Sequence, residues 1–178
     1  MSYLLGLSGS LRAASTNTKL IRAAADIYGG DYQEGDLRLP LYNGDLEEAE
    51  GIPASVQTLA DQIKGAEAVV ISSPEYNKAI SGVLKNALDW VSRTDGSPWS
   101  DKPLAIMSAT AGRAGGERAQ FSLRLCMMPF GTRIIQTPEV LVAASSQQFD
   151  DAGALTGDRY VKTLTALMDA LKAEVARS

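Results

Sequence analysis

Histidine is absent from all 178 residues. Its absence excludes serine–histidine–carboxylate triads, histidine-bearing zinc sites and imidazole proton relays, so redox or transfer chemistry here needs a borrowed group. No metal site is expected. Cysteine occurs once, at Cys126, which rules out an internal disulfide framework and fits a reducing compartment. Its setting, "FSLRLCMMPF", predicts a buried structural thiol rather than a reactive one. Long apolar runs are missing too. The run at residues 3–7 has no basic flank and is too short for a signal core or a membrane span, so the expected location is the cytoplasm, without membrane contact. Positive charge is in deficit: 17 Lys and Arg face 21 Asp and Glu, a net charge of -4. The mean field therefore repels nucleic acid, and a phosphate-bearing ligand needs a local cationic pocket.

With 45% apolar and 21% charged residues, the composition is that of an ordinary globular protein, and the whole chain, 1–178, is expected to form one domain. "YLLGL" at 3–7, "AEAVVIS" at 66–72 and "PLAIMSA" at 103–109 read as strands buried on both faces. Between them, Ile21, Ala24, Ala25 and Tyr28, then Val56, Leu59, Ala60 and Ile63, then Leu84, Ala87, Leu88 and Val91 repeat at helical spacing. Phe121, Leu125 and Met128 predict a fourth helix, and Leu164, Leu167, Met168 and Leu171 a fifth. Further strands are expected near 32–37 and at either 133–135 or 140–142. Such alternation predicts a parallel sheet covered by helices on both sides. Residues 38–53, with Pro40, Gly44, Gly51 and Pro53, resist a regular reading and are expected to rim a site or a subunit contact.

Ligands of open parallel sheets gather at the carboxyl ends of strands, and three stretches occupy such ends. "GSLRAASTN", residues 9–17, joins the first strand to the first helix. Ser10, Ser15, Thr16 and Asn17 can bond phosphate oxygens beside a helix N-terminus, and Arg12 adds a full charge; equally, Ser15, Thr16 or Asn17 can simply cap the helix. Neither G-x-x-x-x-G-K-[ST] nor the three-glycine dinucleotide fingerprint is present, so a phosphate monoester fits better. "PEYN", residues 74–77, offers a stiff Pro74, a flat Tyr76, and Glu75 and Asn77 to bond ring edges, or else is a bare turn. "SATAGRAGG", residues 108–116, lets a ligand approach backbone N–H groups, or packs its glycines for the turn alone.

Together, "GSLRAASTN", "PEYNKAISGVLKNALDW" and "SATAGRAGGERA" resemble the NADPH-dependent FMN reductase family of flavodoxin-like proteins, which includes quinone, azo-dye and chromate reductases. The resemblance spans most of the chain. It implies an α/β three-layer sandwich with a five-stranded parallel sheet in the order 2-1-3-4-5. It also implies bound FMN, with Ser10, Arg12, Ser15, Thr16 and Asn17 at the phosphate and ribityl chain. Pro74, Glu75, Tyr76 and Asn77 would border the isoalloxazine, and Ser108 and Gly112 would close the other side. The implied reaction is a ping-pong transfer of electrons from NADPH or NADH through FMN to a small quinone, flavin, azo compound or metal oxyanion. The cofactor carries that chemistry, and no side chain is an obligatory acid or base. Homodimers or homotetramers are implied as well. The alternative is a flavodoxin-like electron carrier or flavin-linked sensor that does not turn over NAD(P)H. Two positions depart from the family pattern: Thr16 stands where relatives often have an aromatic, and Ser81 where they often have a proline before Gly82.

Overall fold

The three apolar runs form the centre of one parallel sheet. In the computed structural model, which describes residues 2–177, the strands are β1 (Tyr3–Ser8), β2 (Asp31–Glu34), β3 (Ala68–Ser72), β4 (Pro103–Ala109), β5 (Arg133–Ile134) and β6 (Val140–Val142). They lie in the order β2-β1-β3-β4-β5, with every pairing parallel. This is the expected flavodoxin-like order. The fifth strand is divided: of the two alternative positions, both are strands. β5 pairs with Pro103 and Leu104 at the start of β4, and β6 with Met107, Ser108 and Ala109 at its end. The segment between them contains Pro138, which has no N–H to give to a ladder.

Successive residues of the inner strands enter opposite cores. Leu5, Leu7, Val69, Ile71, Leu104 and Ile106 face helices α3 (Ala54–Gly65), α4 (Gly82–Val91) and α5 (Glu117–Met127), if α1 (Thr16–Tyr28) and α2 (Gly44–Glu50) are counted before them in chain order. Leu4, Ala68, Val70, Ala105 and Met107 face α1 and α6 (Asp158–Val175). Each such leucine or isoleucine, fully buried, contributes about 2 kcal/mol, so the doubly covered sheet is the rigid part of the molecule. Gly6 is a packing glycine: a Cβ there would collide with the phenol of Tyr32.

Three sequence expectations are corrected. Residues 38–53 are not wholly irregular, because Asn43 caps the short helix α2 by accepting from the Asp45 N–H at 3.0 Å. The fourth predicted helix exists, but Phe121, Leu125 and Met128 are 55%, 68% and 74% exposed. The buried face of α5 is Ala119, Gln120, Leu123 and Met127, one step round the helix. Cys126 is only partly buried, packed at the edge of the core that Leu123 and Met127 enter.

The end of the sheet remote from the strand carboxyl ends is closed by tyrosine. Tyr28 donates to Glu67 at 2.8 Å, and burial first, then that carboxylate, raises its pKa well above the ordinary phenol value. Burial also raises Tyr32, with Glu34 adding to the shift. A phenol raised on folding contributes stability that is complete below the unfolded pKa of about 10 and is lost as pH climbs past it. In an alkaline titration Tyr28 and Tyr32 should therefore form phenolate only together with cooperative loss of near-ultraviolet circular dichroism. Full ionisation of all six tyrosines before that loss would refute the assignment.

Candidate functional site

The chain leaves β1 toward β2 on one side and reaches β3 on the other, so a crevice opens at the carboxyl ends of β1 and β3. The 9–17 loop enters it. Ser15 is the cap of α1, its hydroxyl accepting from the Thr18 N–H at 3.1 Å. Asn17 points inward and is 3% exposed. Its Oδ1 accepts from the Ser72 hydroxyl at 2.8 Å and from the Ala109 N–H at 3.0 Å, and its Nδ2 donates to the Ala109 carbonyl at 2.9 Å. One side chain thus ties the ends of β3 and β4 to the first turn of α1. The Thr16 hydroxyl shares a hydrogen bond of 3.1 Å with Ser145. Among the described residues the Thr16 and Asn17 N–H groups have no acceptor, and Arg12 is exposed with no side-chain partner.

The 74–77 stretch follows β3. Glu75 reaches across to the N-terminus of α5, where its Oε2 accepts from the N–H groups of Arg118 at 3.0 Å and Ala119 at 3.2 Å. The residue before α5 is Gly116, which has no side chain to cap it, so this carboxylate does so from another loop. Tyr76 and Ala79 exchange both backbone hydrogen bonds, at 3.0 and 3.1 Å, around Asn77 and Lys78. Both central residues have positive φ, 50° and 67°, as a two-residue type I′ hairpin requires. Holding a lysine in this region costs about 1–2 kcal/mol that glycine would avoid. Ser81 caps α4 by accepting from the Leu84 N–H at 3.2 Å, a role that no proline in its place could fill. In "LKNALDW" of that helix, Asn86 and Trp90 donate to the Pro40 carbonyl at 2.9 and 2.7 Å. Tyr42 sets its ring edge against Trp90, centroids 5.0 Å apart, so the 38–53 loop is strapped to α4.

The third loop is braced from beneath. The buried Ser108 hydroxyl donates to the Gly115 carbonyl at 2.6 Å and accepts from Gln120 at 2.9 Å. Gly115 has φ 63°, and a Cβ on it would press into Leu141. A fourth segment joins these three. After β6, Ala144 takes φ 46° and the Ser145 N–H donates to the Thr110 carbonyl at 3.0 Å, which brings Ser145 and Ser146 to the crevice. Sequence reasoning missed these serines. The signal was the hydroxyl pair just after "VLV", the same strand-then-serine pattern seen after β1 and β3.

The crevice holds about 430 Å³ and is walled by Ser10, Arg12, Ser15, Thr16, Asn17, Pro74, Glu75, Tyr76 and Gly112, with Thr110, Ala111, Ser145 and Ser146. Nine of the eleven expected site residues therefore meet there. Asn77 sits at the hairpin tip and Ser108 beneath the third loop, outside the lining. Two larger hollows lie elsewhere. One, between α4 and α5, is lined by Trp99, Leu125, Cys126 and Phe130, and the other lies between α1 and residues 151–155. Neither collects the four strand-end loops. The crevice alone combines a free guanidinium, unpaired helix N–H groups, hydroxyls and a flat phenol, the donor set for a phosphate attached to an extended planar group.

A family model described as NADPH-dependent FMN reductase matches residues 3–147. The chain belongs to that family. An NAD(P)H-dependent FMN reductase of Pseudomonas aeruginosa is 38% identical over 98% of this chain and 95% of its own length. A quinone reductase of Escherichia coli is 36% identical over 81% of this chain and 79% of its own. Among solved structures, a flavoenzyme NAD(P)H:(acceptor) oxidoreductase from Paracoccus denitrificans superposes with a TM-score of 0.89 at 30% identity, covering 99% of this chain and 98% of that one. The family is one of oxidoreductases that use FMN and NAD(P)H, and the donor set fits that cofactor. Arg12 and the unpaired Thr16 and Asn17 N–H groups are donors suited to a phosphate monoester, and Pro74, Tyr76 and Gly112 line the same crevice. No helix among the described residues is long and apolar enough to cross a membrane.

Replacing Asn17 tests the architecture directly. Asn17→Ala leaves the Ser72 hydroxyl and both backbone groups of Ala109 unpaired in a dry site, which should lower unfolding free energy by about 2–4 kcal/mol in a urea titration. A loss under about 0.5 kcal/mol, the scale of surface substitutions, would show that the clamp is dispensable.

Proposed function

We propose that the chain, as one domain, binds FMN in this crevice and reduces small acceptors with NADPH or NADH. The observation that carries the proposal is the set of donors without partners, Arg12 and the Thr16 and Asn17 N–H groups, placed where three further loops wall one space. Arg12 and the first turn of α1 would hold the phosphate, with Ser10, Ser15 and Thr16 along the ribityl chain. Pro74, Tyr76 and Gly112 would flank the ring, with the Glu75 carboxylate at its edge and Asn77 shaping the hairpin that carries Tyr76. Ser108 would act by holding the Gly115 carbonyl, and so the loop that carries Gly112. FMN held there would supply the redox chemistry between reduced nicotinamide and a quinone, flavin, azo compound or metal oxyanion, the two substrates using the same space in turn. The protein's part is orientation, exclusion of water and fixed charge. No side chain is assigned a proton transfer.

The assembly belongs to the same proposal. Phe121 and Leu125 on α5 and Met128 directly after it form an exposed apolar stripe, and exposed Leu41 and Tyr42 lie on the strap across α4. A homodimer or homotetramer would cover such surface. The single cysteine and the use of NAD(P)H suit a reducing compartment such as the cytoplasm.

Three measurements test the proposal. Anaerobic NADPH should bleach the visible flavin absorbance of FMN-loaded protein, and added quinone should restore it; flavin that binds but stays oxidised would make the chain an electron carrier or sensor instead. Arg12→Ala should weaken FMN by about 1.5–3 kcal/mol, the value of one charge-assisted contact, with the melting temperature of the apoprotein unchanged because the side chain has no partner. Equal flavin affinity would remove Arg12 from the site. Leu125→Asp should convert the native assembly to monomer in sedimentation velocity; an unchanged sedimentation coefficient would place the interface elsewhere.

A further inference from the structure

Around the crevice the basic side chains are not neutralised, whereas elsewhere many are. Arg22, Arg38, Lys85 and Arg93 are each paired with a carboxylate: Glu34, Asp36, Asp89 and Glu47. Arg12, Lys78, Arg113 and Arg118 have no side-chain hydrogen bond or ion pair among the described residues, and all four are exposed. Arg12 lines the crevice wall; Arg113 follows the wall residue Gly112, Lys78 lies two residues beyond the wall residue Tyr76, and Arg118 sits at the α5 N-terminus that Glu75 holds. The carboxylates of this rim are Glu75, one oxygen of which is engaged by the α5 N-terminus, and Glu117 in the first turn of that helix. A protein with net charge -4 therefore keeps a cationic lip at one mouth.

Lys78 is the informative member. It occupies the second centre of a type I′ hairpin at φ 67°, where glycine is the least strained residue, and its ammonium has no hydrogen bond or ion pair among the described residues. Strain with no internal compensation directs attention to an external anion. Arg12 is already assigned to the FMN phosphate, which leaves Lys78 and Arg113, close in the chain to the wall residues Tyr76 and Gly112 and themselves outside the crevice lining. A nicotinamide stacked against the ring between those two walls would leave the rest of its dinucleotide outside the crevice. NADPH differs from NADH by one group, a phosphate on the 2′-hydroxyl of the adenosine ribose, far from the reacting carbon. An exposed ammonium and an exposed guanidinium fork are suited to bind such a dianion.

We propose that Lys78 and Arg113 clamp the 2′-phosphate of NADPH and thereby set the preference for NADPH over NADH. The clamp rests on the flavin site proposed above and names the residues of that site that read the co-substrate.

The probes are 2′,5′-ADP, which carries the distinguishing phosphate, and 5′-AMP, which lacks it, each titrated by calorimetry into FMN-loaded protein. The native protein should bind 2′,5′-ADP the more tightly. Lys78→Gly and Arg113→Ala should each weaken 2′,5′-ADP roughly three- to tenfold, as expected for a partly screened charge-assisted contact, with less effect on 5′-AMP. The ratio of kcat/KM for NADPH to that for NADH should fall in parallel, and the difference should shrink as salt is raised. Glycine is chosen because it relieves the positive φ, so Lys78→Gly should melt at or above the native temperature, which separates a lost contact from a lost fold. Equal weakening of both nucleotides, or none, overturns the clamp. If flavin binds and bleaches but the nucleotide ratio does not move, only the clamp falls; if no flavin binds, the proposed function falls with it.

Discussion

One buried amide fixes the frame of the site. Asn17 satisfies a hydroxyl, a backbone donor and a backbone acceptor on two adjacent strands while standing in the first turn of α1. In a dry environment each of these bonds is electrostatically strong, and leaving any member unpaired costs more than the bond contributes when made. The first turn of the helix is therefore held at a set distance from the ends of β3 and β4. Its unpaired N–H groups belong to residues that line the crevice, while the Asn17 carboxamide is engaged by β3 and β4. The carboxamide at that position thus sets where the backbone of the first turn stands beside the crevice.

The remaining loops are braced by the same device, one polar group from a neighbouring segment. Glu75 caps α5, which begins at a glycine; Ser108 holds Gly115; Ser145 bonds both Thr16 and Thr110. No loop at this end of the sheet is secured only by its own turn. Short hydrogen-bonded paths therefore join each of these loops to a neighbouring segment. The helix α4 serves a parallel purpose elsewhere, where Asn86 and Trp90 converge on the Pro40 carbonyl and fasten the 38–53 segment to the helix.

The sheet was legible because parallel strands buried on both faces are written as unbroken apolar runs, and β1, β3 and β4 are such runs; its order followed from the family resemblance of the three loops, since periodicity does not encode which strands are neighbours. The amphipathic helices α1, α3, α4 and α6 were equally plain. Helix α5 was legible as a helix but not in its orientation: Phe121, Leu125 and Met128 outrank Ala119, Gln120, Leu123 and Met127 in hydrophobicity, yet face outward. A buried glutamine is invisible to apolar periodicity, and Gln120 is buried because Ser108 and the Val140 carbonyl bond it. Helix α2 was hidden by a glycine at each end, although Asn43 followed by acidic residues is a capping signal. At the site, the three loops were readable from hydroxyls, glycines and an arginine after strands. Ser145 and Ser146 were not, since β6 has only three residues and its position was left open. The inward roles of Asn17 and Ser108 depend on side-chain direction, which spacing does not encode.

A chain without histidine must do its work with charges that do not switch near neutral pH. The crevice supplies a guanidinium at one end, a carboxylate engaged by a helix N-terminus at the other, and backbone dipoles between them. The Glu75 carboxylate is held there by the Arg118 and Ala119 N–H groups, and the Arg12 guanidinium has no side-chain partner among the described residues. Such an arrangement suits chemistry in which a borrowed group carries the electrons and the protein has only to hold one charge pattern while different small molecules come and go.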